Sequence, residues 1–141
     1  MLLTTISSDS HTWNLVFMQL YLEELGHEVI NLGSCVPTDL LLKKAHHYRP
    51  DMITVSSING HANIEGVYLA QAVRACHVIK DTCLVIGGKL GTKGDDNNQY
   101  IDKLQKAGFD GVFGGNESIR DFMNYLKELN TFFENKIGLA A

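Results

Sequence analysis

The sequence has no long apolar run. No stretch approaches the roughly 18 consecutive apolar residues that a membrane-spanning helix requires. The N-terminal segment MLLTTISS carries no basic residue, and its apolar part is too short for a secretory signal peptide. We therefore expect neither a membrane anchor nor export, and we predict a cytoplasmic protein.

Positive charge is also scarce. Lys and Arg together number 12 against 16 Asp and Glu, so the formal net charge is -4 at pH 7. No local cluster of Lys or Arg offsets this total, and proteins that bind nucleic acid need such clusters to neutralise phosphates. We therefore expect no nucleic acid among the partners of this chain.

Cysteine occurs three times, as Cys35, Cys76 and Cys83. The odd number argues against a disulfide framework, and the spacing is not that of a metal site. In a chain without a secretory leader, we expect these cysteines to be buried free thiols.

The remaining composition is that of a globular protein, with 45% hydrophobic and 20% charged residues and 13 glycines. A chain of 141 residues is long enough for one domain that buries about two-thirds of its unfolded surface. We predict one domain over residues 1–134, followed by a flexible C-terminal tail over residues 135–141.

Strand-type and helix-type patterns alternate along this domain. Short apolar runs predict strands at residues 2–6, 28–32, 52–56, 82–86 and 111–113, and apolar residues at helical spacing predict helices at 13–25, 37–47, 64–79, 100–107 and 118–133. Such alternation, with right-handed crossovers, produces a parallel sheet covered by helices on both faces. We predict a flavodoxin-like, doubly wound α/β fold with five strands in the order 2-1-3-4-5.

Chemically versatile residues concentrate at one edge of that predicted sheet. In open α/β sheets, ligands bind at the carboxyl ends of the strands that flank the switch point, here the first and third strands. The loops over residues 8–14 and 57–63 follow those two strands, and residues 87–91 follow the fourth. In the first loop Asp9 can accept the ring N–H of His11, which would free the other imidazole nitrogen to bind a metal.

Three motifs in chain order resemble those of the cobalamin-binding domain family. They are Asp9-x-His11-x-x-Asn14, Ser56-x-Ile58 and Gly87-Gly88, at the places where the family carries Asp-x-His-x-x-Gly, Ser-x-Leu and Gly-Gly. The segments 8–11, 55–60 and 108–112 resemble, more narrowly, the small (sigma) subunits of glutamate mutase, also called methylaspartate mutase. The likeness covers nearly the whole chain.

The resemblance implies that the chain binds adenosylcobalamin. In the family the dimethylbenzimidazole leaves cobalt and a motif histidine becomes the lower axial ligand, so His11 would ligate cobalt while Asp9 holds its other nitrogen. Ser56 would hydrogen-bond the displaced base, and two glycines would let the nucleotide tail approach the backbone. The predicted cofactor-binding residues are Ser8, Asp9, Ser10, His11, Thr12, Asn14, Ser56, Ser57, Ile58, Gly60, Gly87, Gly88, Lys89, Leu90, Gly91, Asn116 and Glu117.

The chain departs from the family pattern in two places. Asn14 stands where the motif has glycine, and Glu117 lies in a stretch that reads Pro-Gly-Thr in the small subunits. Near the predicted site, Trp13 fits a core, rim, partner-facing or cofactor-facing position, and the sequence does not choose among them. His61 is a further candidate for cofactor or partner contact.

The resemblance also implies a function. The chain would be the cofactor-carrying subunit of an isomerase that converts glutamate to 3-methylaspartate, with the substrate site on a separate barrel-type subunit. Because the first strand begins at Leu2, we expect no helical bundle or barrel ahead of it. Two alternatives stay open, a non-catalytic cobalamin carrier or sensor and a cofactor-less flavodoxin-like interaction module. A receiver-like phosphorylation domain is disfavoured because the first strand lacks the acidic pair that binds magnesium.

Overall fold

The computed structural model describes residues 1–92, 97–115 and 117–140, in which strands and helices alternate. The strands are β1 (Leu2–Thr4), β2 (Ile30–Asn31), β3 (Met52–Ser57), β4 (Cys83–Gly88) and β5 (Gly111–Gly114). The helices are α1 (Trp13–Glu24), α2 (Thr38–Tyr48), α3 (Ala62–Ala75), α4 (Asn97–Ala107) and α5 (Ser118–Ala140).

All strand pairs are parallel, and the sheet order is β2-β1-β3-β4-β5. This confirms the predicted doubly wound fold and its strand order. The central strand β3 is buried along its whole length, as expected for a strand covered by helices on both faces. The chain winds in opposite directions from β1 and β3, so the loops after these two strands separate and leave a crevice at their carboxyl ends.

The two faces of the sheet carry separate cores. The larger core includes Leu41 from α2, Leu69 from α3 and Leu104 from α4. The smaller core joins Leu22 from α1 to Phe122 and Leu126 from α5. Helices α1 and α5 therefore share one face, and this arrangement determines where a cavity can form.

Several element boundaries differ from the predicted ones. The two glycines after residue 86 do not stop β4, because Ser57 and Gly88 pair as the last residues of β3 and β4. Helix α3 ends at Ala75 rather than at residue 79, since the backbone at Cys76 is extended. Helix α5 continues to Ala140, through residues 135–140 where a tail is predicted, and no proline interrupts this segment.

Three expectations about burial were wrong. Leu25, the C-cap residue of α1, and Ile119 on α5 belong to the apolar spacing that predicts the buried faces of these helices, yet they are 48% and 43% exposed. Cys35 is exposed although buried thiols are predicted, while Cys76 and Cys83 are half-buried and all three are free.

In the described ranges, no helix has both the length and the apolar character needed to span a membrane.

Candidate cofactor-binding site

The loop after β1 holds a buried carboxylate beside an exposed imidazole. Asp9 N–H donates to the carbonyl of Ile6 at 3.2 Å, and Cys35 N–H donates to the carbonyl of Asp9 at 2.8 Å, so the backbone of the loop is anchored at both ends of Asp9. The Asp9 side chain is 0% exposed, whereas the His11 side chain is 46% exposed. The loop therefore fixes the acid inside the protein and presents the imidazole outside.

Each carboxylate oxygen of Asp9 accepts two hydrogen bonds. Oδ1 accepts from the His11 backbone N–H at 3.0 Å and from His11 Nδ1 at 2.6 Å. Oδ2 accepts from Ser57 Oγ at 2.8 Å and from the Ile58 backbone N–H at 2.8 Å. Burial alone would raise the pKa of Asp9, but these four hydrogen bonds outweigh it and lower the pKa to about 2.

This arrangement determines which nitrogen of His11 is available. Because Nδ1 carries the proton that is donated to Asp9, Nε2 of the neutral ring keeps its lone pair. A carboxylate on the far side of a ligating histidine fixes the ring and raises its basicity. No cluster of three or more His, Cys, Asp or Glu suited to a metal occurs in the part of the chain that the structure describes. His11 can thus supply one ligand to a metal whose other ligands come from elsewhere.

A cavity of about 590 Å³ lies over β3 and β4, on the face that α1 and α5 share. Its size suits a ligand as large as a drug molecule or the tail of a cofactor. Aromatic and aliphatic side chains make up much of the wall, which is lined by Trp13, Asn14, Phe17, Met18, Thr54, Val55, Ser56, Ile58, Val85, Ile86, Gly87, Gly88, Lys89, Leu90, Gly91, Phe113, Gly115, Ser118, Ile119 and Phe122. Trp13 is 65% exposed and therefore lies at the rim.

Three buried polar side chains interrupt this apolar wall. Asn14, Thr54 and Ser56 are 6%, 4% and 7% exposed. Asn14 Nδ2 donates to Ser56 Oγ at 3.0 Å and to the Ser56 carbonyl at 3.3 Å. Within the described residues, Asn14 Oδ1 and Thr54 Oγ1 have no hydrogen-bond partner. Buried polar atoms are normally paired, so a ligand with polar groups fits this wall better than a purely apolar one.

Close backbone contacts surround the two glycines that end β4. Gly88 has a φ of +114°, and a Cβ there would lie 2.1 Å from the carbonyl oxygen of Ser57. A Cβ on Gly87 would lie 3.0 Å from the carbonyl oxygen of Phe113 on the neighbouring strand. The absence of a Cβ at Gly88 therefore lets β4 pair closely with β3 at Ser57, the serine that binds Asp9.

The loop after β4 is held by backbone and side-chain contacts that sequence reasoning did not identify. Asn63 on α3 donates from its backbone N–H and from Nδ2 to the carbonyl of Leu90, at 2.9 and 2.8 Å. Lys89 N–H donates to the carbonyl of Ser57 at 2.9 Å. A Cβ on Gly91 would lie 2.2 Å from the ring of Tyr100. These contacts hold the loop against the mouth of the cavity.

The predicted site residues divide into three groups. Those in the cavity wall are Asn14, Ser56, Ile58, Gly87, Gly88, Lys89, Leu90 and Gly91. Asp9, His11 and Ser57, together with the Ile58 backbone, form the network around the buried carboxylate. Ser8, Ser10, Thr12, Gly60 and Glu117 lie outside the cavity wall, and Asn116 lies outside the described residues.

Two of the outlying residues have partners of their own. Ser8 Oγ contacts the carboxylate of Glu65 on α3 and accepts from Asn59 Nδ2 at 3.0 Å. Glu117 forms an ion pair with Arg120 at 2.6 Å, with both side chains exposed. Glu117, which directly precedes α5, is therefore paired with a cation on the first turn of that helix.

Sequence reasoning missed part of the cavity wall. Thr54 precedes Ser56 by two residues on β3, so both side chains point to the same face of the sheet. This alternation along a strand could have identified Thr54 as part of the wall. The aromatic wall residues Phe17, Phe113 and Phe122 come from α1, β5 and α5. They meet only in the folded protein, and no local motif marks them.

Comparisons with known proteins agree with this geometry. The family model described as "B12 binding domain" matches residues 1–121. The glutamate mutase sigma subunit of Fusobacterium nucleatum is 29% identical over 126 residues, which cover 87% of this chain and 90% of that protein. The sigma subunit of Halobacterium salinarum is 29% identical over 125 residues, 89% of this chain and 83% of that protein.

Solved structures show the same fold. A cobalamin-binding protein from Desulfitobacterium hafniense has a TM-score of 0.64 at 23% identity, over 79% of this chain and 51% of that chain. A putative response regulator from Chloroflexus aurantiacus has a TM-score of 0.64 at 16% identity, over 90% and 94% of the two chains. The fold is thus shared by cobalamin-binding domains and receiver domains, and it does not itself determine the ligand.

Proposed function

The chain belongs to the B12-binding domain family, and from this premise we propose that it is the cofactor-carrying subunit of an adenosylcobalamin-dependent carbon-skeleton mutase. The proposed reaction is that of glutamate mutase, glutamate to 3-methylaspartate, since the relatives described above are its sigma subunits. The proposed lower axial ligand of cobalt is His11. The alternatives are a non-catalytic cobalamin carrier and a cofactor-less interaction module.

The observation that carries the proposal is the Asp9–His11 pair. The buried carboxylate orients the exposed imidazole through a contact of 2.6 Å, which leaves Nε2 for a metal. A single protein ligand suits a corrin, because the macrocycle supplies the four equatorial nitrogens itself. Imidazole is a suitable ligand for cobalt.

The cavity fits the nucleotide tail of the cofactor. It offers about 590 Å³ beside the loop of His11, and Gly87 and Gly88 form part of its wall. Asn14, Thr54 and Ser56 supply buried polar atoms to the tail. When bound, adenosylcobalamin supplies radical chemistry through its weak cobalt–carbon bond. The residues of this chain would hold the cofactor, and Asp9 would orient the imidazole of His11 that ligates its cobalt.

A separate catalytic subunit is part of the proposal. Among the described residues that line the cavity, the only ionisable side chain is Lys89, so the wall lacks carboxylates and imidazoles for handling a substrate. Radical chemistry also requires exclusion of water, and His11 is 46% exposed. We propose that a barrel-type partner covers this edge of the sheet and provides the substrate site.

Cobalamin binding by matched variants tests the proposal. Purified protein is mixed with hydroxocobalamin or adenosylcobalamin and desalted, and the retained cofactor is measured by its visible spectrum. The cob(II)alamin form is then examined by electron paramagnetic resonance for coupling to an imidazole nitrogen. We expect retention and nitrogen coupling in the wild type and in His46→Ala, an exposed histidine on α2, and loss of the coupling in His11→Ala.

Two results would count against the proposal. Nitrogen coupling that persists in His11→Ala would assign the axial ligand to another residue. Failure of the wild type to retain any cobalamin at micromolar concentration would favour the interaction module. For the mutase itself, we expect glutamate turnover only after a glutamate mutase catalytic subunit is added, and turnover that never appears would favour the carrier.

A further inference from the structure

The side chain of Asn14 has a fixed orientation in the cavity wall. Its Nδ2 lies 3.3 Å from the carbonyl oxygen of Ser56 and 3.0 Å from Ser56 Oγ. A carbonyl oxygen can only accept hydrogen bonds, so the nitrogen end of the amide must face Ser56. The oxygen end, Oδ1, therefore points away from this contact.

This orientation leaves one acceptor and one donor unused. Asn14 Oδ1 is buried and has no partner within the described residues. In the hydrogen bonds of those residues, Ser56 Oγ acts only as an acceptor, from Asn14 Nδ2. The Ser56 hydroxyl proton is thus free to be donated. Both residues line the cavity, so their side chains together offer a ligand one acceptor and one donor.

An acceptor next to a donor is complementary to a particular kind of heterocycle edge. The ligand must present an N–H or O–H to Asn14 Oδ1 and a ring nitrogen to the Ser56 hydroxyl. An exocyclic amine beside a ring nitrogen, as in adenine, has this pattern, and it is the pattern by which an amide side chain recognises adenine. Dimethylbenzimidazole offers a ring nitrogen to Ser56 but no donor to Asn14.

We propose that Asn14 is a specificity-determining residue, and that with Ser56 it selects a cobamide whose lower base carries an amino group next to a ring nitrogen. The inference depends on the proposed cobalamin site and specifies the ligand of that site. A base with a donor would pair Asn14 Oδ1, which is already buried, whereas a base without one would leave it unpaired. The missing hydrogen bond lowers the relative affinity by about tenfold. We therefore expect the wild type to prefer an adenine-containing cobamide over dimethylbenzimidazole cobalamin.

The test compares dissociation constants of the two cobamides, measured by spectral titration and by retention after desalting. The two bases differ in their own affinity for cobalt. This difference is the same in every variant, so it cancels when the ratio of dissociation constants in a variant is compared with the ratio in the wild type. We expect the adenine preference of the wild type to fall by about tenfold in Asn14→Ala. Asn14→Gly, which has the residue of the family motif, serves as a second variant. Gln71→Ala, an exposed amide on α3 outside the cavity wall, is the control that keeps the wild-type ratio.

The outcomes separate this inference from the proposed function. If both cobamides bind and the ratio is the same in wild type, Asn14→Ala and Asn14→Gly, selection by Asn14 is wrong while the cobalamin site stands. If Gln71→Ala changes the ratio as much as the Asn14 variants do, the selection does not depend on the Asn14 amide. If neither cobamide binds the wild type, the proposed function fails and this inference fails with it.

Discussion

Two polar regions meet at the carboxyl edge of the sheet, and they differ in how completely their hydrogen bonds are made. Around Asp9, each carboxylate oxygen accepts two hydrogen bonds, from His11 at one oxygen and from Ser57 and Ile58 at the other. In the cavity wall, the polar atoms Asn14 Oδ1 and Thr54 Oγ1 are buried without a partner among the described residues.

The difference separates a preorganised region from one that is completed by its ligand. The Asp9 region needs nothing further to hold the imidazole, so its hydrogen bonds contribute to folding. The unpaired atoms of the cavity wall contribute little to folding, because they lost water without gaining a protein partner. Substitutions in the first region should therefore lower stability, whereas substitutions in the second should act mainly on ligand binding.

Gly88→Ala should have the largest effect on stability. A Cβ at Gly88 would lie 2.1 Å from the Ser57 carbonyl oxygen, and the φ of +114° is unfavourable for alanine. Moving Ser57 would also disturb its hydrogen bond to Asp9. We expect a loss of about 4 kcal/mol or failure to fold, measured by urea unfolding.

Gly33→Ala is the matched control for Gly88→Ala. Gly33 has a φ of +85°, but a Cβ there would have nothing within 4 Å. This variant should lose about 1 kcal/mol from backbone strain alone. Equal losses in the two variants would show that the contact with Ser57 is unimportant.

Asp9→Asn should have the next largest effect. Either orientation of the amide places its NH₂ group against a backbone N–H, that of His11 or that of Ile58, which can only donate. We expect a loss of about 3 kcal/mol in the free energy of unfolding at pH 7. Asp102→Asn, which removes an exposed ion pair with Lys106, should change stability by less than about 0.5 kcal/mol. A similar loss in both variants would contradict a special role for the Asp9 network.

The dependence of stability on pH should reveal the same network. The pKa of Asp9 falls from 3.8 to about 2 on folding, so the folded state binds this proton less readily than the unfolded state. The stabilisation is fully present above the unfolded value and decreases as the pH falls through the folded value. The stability difference between wild type and Asp9→Asn should shrink by about 2 kcal/mol from pH 5 to pH 2. A constant difference would mean that Asp9 titrates normally.

Much of the fold and part of the site could be predicted from the sequence. The alternation of apolar runs was sufficient for the strand order, because right-handed crossovers leave few topologies. The contact between Asp9 and His11 was predictable because it is local, with one residue between them in a loop. The partners of the second carboxylate oxygen, Ser57 and the Ile58 backbone, are about fifty positions away and depend on the pairing of β1 with β3.

The state of the cavity wall could not be predicted in the same way. The motif comparison identified Asn14 as a departure from glycine, but the direction of its amide depends on the position of the Ser56 carbonyl. Gly88 was interpreted as a residue that clears space for a ligand, whereas its nearest constraint is the backbone of Ser57. Such distances across the sheet are set by tertiary packing and leave no trace in local sequence.

Thr54→Val should have the smallest effect on stability. Valine has nearly the shape of threonine, and Thr54 Oγ1 has no hydrogen-bond partner to lose within the described residues. We expect the free energy of unfolding without ligand to change by less than about 0.5 kcal/mol, or to rise slightly, since a buried unpaired hydroxyl is replaced by a methyl group. Ser57→Ala is the matched control on the same strand, and it should lose about 2 kcal/mol because it removes a donor to Asp9. A loss in Thr54→Val as large as that in Ser57→Ala would mean that both regions are equally complete without a ligand.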